Sequence, residues 1–152
     1  MAPRAPTPPN RIQPNLRRFE LARQQLIAQV CRRHGVSRTE FDALDELSQA
    51  DGLTPGELGD RLSLTSGSVT ALIDRLERLG WAGREPHPDD RRKVVVRGTA
   101  AAEAVGIAEI GPLVMAVSEV ASRLSARDQR MVEQFLEKSA DAVMAIVEAR
   151  RD

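Results

Sequence analysis

Tyrosine is absent, tryptophan and cysteine occur once each, and lysine occurs only at Lys93 and Lys138 among 152 residues. A single thiol, Cys31, cannot close an internal disulfide. Cys31 and His34 stand three apart at helical spacing, but one thiol and one imidazole are too few to hold a metal. No metal site and no cofactor are therefore expected. No apolar run approaches the ~20 residues that span a bilayer, and the first residues lack the apolar core of a signal peptide. There is no Gly-rich phosphate loop, no nucleophile elbow and no grouping of acid, base and nucleophile. These absences argue against an enzyme and against membrane insertion, and the cytoplasm is the expected location. With Trp81 and three phenylalanines as the only aromatics, an aromatic-lined ligand pocket is not expected either.

Net charge is zero, from 22 basic and 22 acidic residues. A uniformly basic nucleic-acid binder is excluded, so any contact with phosphate has to come from a local patch. Hydrophobic residues make up 41% of the chain, enough for one domain with a real core.

Five prolines fall within residues 1–14, which predicts a disordered or extended arm. Residues 15–35 read as a helix, with Leu16, Phe19, Leu26 and Val30 near helical spacing and Gly35 as its stop. Ser37-Arg38-Thr39-Glu40 and Thr54-Pro55-Gly56-Glu57 are both capping boxes, each opening a further helix. A fourth helix starts at Thr65 or Ser66 and is closed by Gly80. Two strand-like pieces, 81–85 and 93–97, flank the polar turn Pro86-His87-Pro88-Asp89-Asp90-Arg91-Arg92. The remaining residues, 100–150, read as helical, with a bend or restart at Gly111-Pro112 and a new cap at Ser125.

The fold class is thus mainly α with a small β-hairpin. Two short helices, a tight turn and a hairpin over residues 37–99 form a winged helix-turn-helix lobe. Gly59 is small where two helices must cross, and Val69 and Leu72 follow at the spacing that packs the second helix on the first. Ser63 occupies a turn position where glycine is commoner. On the fourth helix Val69, Leu72, Ile73, Leu76 and Leu79 fall on the core side at ~100° per residue. Gly67, Ala71, Asp74 and Arg78 fall opposite, flanked by Ser68, Thr70 and Arg75. A face of short polar residues suits a helix end lying deep in a major groove. Between residues 61 and 97 there are eight basic residues against five acidic ones, so the basic bias sits on the segment expected to meet DNA.

The run Val69-Thr70-Ala71-Leu72-Ile73-Asp74-Arg75-Leu76-Glu77-Arg78-Leu79-Gly80-Trp81 resembles the MarR family of bacterial regulators. The resemblance continues through Arg84 and Pro88-Asp89-Asp90-Arg91-Arg92-Lys93-Val94-Val95-Val96. It implies a homodimer on a palindromic double-stranded DNA operator, with residues 15–35 and 100–150 as dimerisation helices. It implies that Asp90 and Arg92 form a wing-tip pair, Arg91 beside them, with the arginine in a minor groove. It makes Ser66, Ser68, Thr70 and Arg75 the candidates for groove and phosphate contacts, and Gly67 joins them from the outward face of the helix. One departure is Gly98-Thr99, where the family often has Leu-Thr.

The terminal helices carry more apolar surface than the DNA-binding lobe needs, which by itself suggests a two-fold partner. The expected function is a sequence-specific repressor relieved by a small-molecule effector. Two alternatives stand beside it. One is a winged-helix protein-interaction module without DNA; the other is a redox-sensing regulator using Cys31, although no tyrosines surround that thiol.

Overall fold

The computed structural model of the chain describes residues 11–88, 90 and 92–150. Its elements run α1 (Ile12–His34), α2 (Arg38–Ser48), α3 (Pro55–Leu62), α4 (Ser66–Arg78), β1 (Ala82–Pro86), β2 (Val94–Gly98), α5 (Ala100–Ser122) and α6 (Ala126–Glu148). They fall into two units, one reaching to Val105 and the other beginning at Gly106.

In the first unit, α1 starts at Ile12, earlier than the expected arm of residues 1–14 allows. Pro14 sits in its first turn, where backbone N–H groups have no helical partner and proline costs nothing. The rest of the expected arm, residues 1–10, lies outside the described residues. Gly35 ends α1 at φ 65°, a left-handed conformation that glycine takes without strain.

Both capping boxes form. Ser37 Oγ accepts the Glu40 N–H at 3.1 Å, and the Glu40 carboxylate accepts the Ser37 N–H at 2.6 Å. Thr54 and Glu57 repeat the exchange at 3.2 and 2.7 Å. The hydrogen bond from the Thr54 backbone is also the main reason the Glu57 carboxyl is held below its ordinary pKa.

α3 and α4 join through Ser63, which adopts φ 55° and ψ 43°. The left-handed region costs a side-chain-bearing residue about 1–2 kcal/mol, partly offset by the extra unfolded-state entropy of glycine. Ser63→Gly is therefore expected to raise stability by about 0.5–1 kcal/mol. A urea titration checks this: the midpoint should rise with an unchanged slope, and a fall would show that the Ser63 side chain contributes more than its strain costs.

The core of this unit gathers Leu58, Val69, Leu72, Ile73 and Leu76 with Ala43, Leu47, Leu53, Ala82 and Val96. A Cβ on Gly59 would lie 2.9 Å from Val69 Cγ2, so α3 and α4 touch where one of them has no side chain. β1 and β2 pair antiparallel with Arg84 opposite Val96. Leu53 adds a single bridge to Val96, with N–H to O distances of 3.0 and 2.7 Å. That bridge ties the hairpin to the α2–α3 connection; it involves one residue and has no alternation that a sequence could show. A smaller cluster of Ile27, Cys31 and Val36, with Phe41, Leu79 and Trp81 against it, holds α1 to the lobe. Thr99 answers the Gly98-Thr99 departure: its hydroxyl donates to the Gly80 carbonyl at 2.7 Å and accepts the Ala102 N–H at 3.3 Å. The strand thus passes directly into a capped α5.

In the second unit, α5 continues as one helix through Gly111-Pro112, where a bend or restart was expected. Pro112 gives up one N–H bond, and the apolar helix formers on either side sustain the rest of the ladder. Ser125 caps α6 by accepting the Asp128 N–H at 3.2 Å. The Gln129 side-chain amide donates to the Ala121 and Leu124 carbonyls at 3.1 and 3.2 Å, closing the turn between the two helices. No residue of α5 or α6 is buried. By length and composition α5 could cross a membrane, at a mean hydropathy of 1.6. This corrects the sequence expectation that no such segment exists: Glu103, Glu109 and Glu119 break up the uninterrupted runs while the average stays apolar. Glu109 near its middle would cost a few kcal/mol at a bilayer centre.

Candidate nucleic-acid interface

α4 begins at a Thr65 cap whose hydroxyl bonds Ser68 Oγ at 2.9 Å and accepts the Ser68 N–H at 3.4 Å. The turns that follow leave Ser66, Gly67, Ser68 and Thr70 exposed together. A Cβ at Gly67 would meet nothing within 4 Å, so the surface there is open. The Thr70 hydroxyl donates back to the Ser66 carbonyl at 3.0 Å, which turns the hydroxyl toward its own helix. Four of the five expected groove residues therefore share one exposed helix end, with first-turn backbone N–H groups beside them. Arg75 is set apart. Its guanidinium lies 3.7 Å from the Glu40 carboxylate and 3.5 Å from the Gly35 carbonyl, aimed at the start of α2.

At the hairpin tip, the Asp90 carboxylate accepts the Arg92 backbone N–H at 3.0 Å, and the Asp90 carbonyl accepts the Lys93 N–H at 2.9 Å. The expected Asp90–Arg92 pairing thus involves the arginine's backbone, in an aspartate-stabilised turn. The Arg92 and Lys93 side chains are exposed. Arg91, also expected at this tip, lies outside the described residues.

Ion pairing sorts the basic residues of this segment. Arg61 pairs with Glu46, Arg75 with Glu40, Arg84 with Asp74 and Glu77, and Arg97 with Asp51 and Glu85. Among the described residues, Arg78, Arg92 and Lys93 are left without an acidic partner, two of the three being on the wing. The local charge bias seen in the sequence is thereby narrowed to the hairpin tip and the far end of α4.

Sequence reasoning missed Arg84. It stands on β1, and its guanidinium bridges Asp74 Oδ1 at 2.7 Å and the Glu77 carboxylate, while its backbone N–H reaches Glu77 Oε1 at 3.1 Å. Asp74, the acid on the outward face, had only Arg75 and Arg78 of its own helix as foreseeable partners. The actual partner comes from the next element and is brought there by the chain reversal at Gly80.

Cys31 is buried, with its Sγ 3.8 Å from the Ser37 carbonyl. Burial pushes its pKa up, ahead of a smaller opposing effect of Arg38. Such a thiol holds little thiolate near neutral pH.

A family model described as MarR family matches residues 34–93. The uncharacterized HTH-type transcriptional regulator YcgE of Bacillus subtilis is 35% identical over 107 residues, 70% of this chain and 70% of that protein. Several other curated relatives align over less than half of their own length. Among solved structures, apo MarR from E. coli superposes with a TM-score of 0.57 at 25% identity, covering 84% of this chain and 96% of that one. MepR of S. aureus in complex with DNA superposes with a TM-score of 0.59 at 21% identity, over 84% of this chain and 96% of that one, a likeness of fold.

Proposed function

Because this chain belongs to the MarR family of transcriptional regulators, we propose that it is a homodimeric repressor that binds a palindromic double-stranded DNA operator in the cytoplasm and is released by a small-molecule effector. The observation that carries DNA binding is the pairing, in one unit, of an open polar helix end at Ser66–Gly67–Ser68–Thr70 with the exposed cations Arg92 and Lys93. The first suits a major groove, and the second suits the phosphates and the minor groove beside it. The DNA-bound state of MepR is a precedent on the same fold. Release by an effector rests on the family resemblance.

A homodimer is supported by the helices outside the lobe. α5 and α6 bury nothing by themselves, yet isolated helices of this kind need a packed face to persist. Val114, Val117, Val132, Phe135, Leu136 and Ile146 are among the large apolar side chains they expose, and α1 exposes Leu16 and Phe19. α1 carries five arginines against one glutamate, whereas α5 carries three glutamates and no basic residue. Two copies of this chain can satisfy both patterns by packing these helices against each other.

The test is a titration against duplex DNA over a range of salt. Affinity is expected to fall steeply as salt rises, and Arg92→Ala is expected to weaken binding by about 1–3 kcal/mol. Binding that ignores both salt and this substitution overturns the reading.

A further inference from the structure

We propose that Arg84 is a positioning residue for DNA binding, which it serves by screening Asp74 and Glu77 rather than by touching DNA. The inference rests on the DNA-binding reading above. Asp74 lies on the exposed strip of α4 that also holds Gly67, Thr70 and Ala71, and its side chain is 49% exposed. A carboxylate on that strip faces the polyanion that the helix is shaped to enter. Glu77, one turn along, adds a second negative charge. Left alone, both would repel phosphate over roughly a Debye length, about 10 Å at 0.1 M salt.

The geometry reduces this conflict. One guanidinium forks across both acids, with one nitrogen 2.7 Å from Asp74 Oδ1 and another on the Glu77 carboxylate. Its planar donors suit two carboxylates where an ammonium would serve as a single point charge. The Arg84 backbone N–H on Glu77 Oε1 seats β1 against α4, so the fork is delivered by the base of the wing itself. Arg75 and Arg78, the basic residues of α4 itself, do not take this place: Arg75 is held by Glu40, and Arg78 has no acidic partner among the described residues. The Arg84 side chain is 32% exposed, and both of its terminal guanidinium nitrogens are engaged by the two acids.

Screening and simple tethering make opposite forecasts, which separates them. The probe is a duplex recovered by selection from a randomised library with the full-length protein. R84Q is expected to weaken binding about tenfold at 50 mM salt, because two carboxylates are then unscreened beside phosphate. The triple variant R84Q/D74N/E77Q is expected to recover to within about threefold of the parent protein, since the charges needing a screen are gone. The R84Q deficit is also expected to shrink as salt rises to 300 mM. Urea midpoints of each variant report folding separately.

If R84Q fails to fold, D74N/E77Q carries the test by itself. With Arg84 retained and its two acids neutralised, binding should tighten; a loss of affinity overturns the proposal. A triple variant as weak as R84Q, or a deficit indifferent to salt, also overturns it and leaves Arg84 as a tether only. A parent protein that selects no duplex overturns the DNA-binding reading together with this inference, and so that failure is recognised before any variant is made.

Discussion

Leu58→Ala is expected to destabilise the DNA-binding lobe by about 2–5 kcal/mol, the range for truncating a fully enclosed leucine. Leu58 is 0% exposed and sits in the cluster where α2, α3, α4 and β2 meet. Its neighbours cannot easily close over the gap. Gly59 already holds α3 at its limit of approach, with the Leu64 carbonyl 3.3 Å and Val69 Cγ2 2.9 Å from where a Cβ would stand. The truncated site therefore keeps most of its cavity, which places the loss toward the upper part of the range. A domain of this size has a total stability of about 5–15 kcal/mol, so the variant should unfold at a markedly lower urea concentration and lose DNA binding with it. A loss under 1 kcal/mol would show that α3 can slide inward, and the close-contact account of the α3–α4 crossing would then be wrong.

Leu136→Lys is expected to convert the proposed homodimer into monomers and to weaken binding to its proposed operator by about a hundredfold or more. The second figure follows from avidity: joining two half-site contacts in one molecule adds 10²–10⁴ to affinity, and a monomer forfeits it. Leu136 is 52% exposed in the single chain, so an ammonium there has access to water until a second copy covers it. The substitution should spare the lobe, whose core lies in the other unit. Sedimentation at several concentrations reads the assembly state, and a titration with a two-half-site duplex against a one-half-site duplex reads the avidity. A variant that remains dimeric, or that binds both duplexes as the parent does, removes α6 from the interface.

Much of the lobe was legible because its signals are local. The two capping boxes, Pro55 at the first helical position, the turn at residue 63 and the core face of α4 each depend on residues within one or two helical turns. All of them formed as expected. The start of α1 was misplaced because proline at a helix start and proline in an extended arm look alike in composition. The continuity of α5 through Pro112 was missed because the cost of one lost hydrogen bond is weighed against a whole helix.

The candidate site divides in the same way. The exposed set on α4 follows from a 3.6-residue period, and the sequence determined it. Which cations stay available to DNA does not follow from any period. Arg75 was a candidate for groove and phosphate contacts and points to Glu40, and Arg84, to which the sequence assigned no role, pairs with the outward-facing Asp74. Charge pairing acts through space over a few ångströms, and the partners here lie 7, 10 and 35 residues apart along the chain. The sequence by itself therefore determined the elements, their caps and the residues that face outward. Only the tertiary structure decided which of those outward charges are already satisfied, because that depends on what the folded backbone brings alongside them.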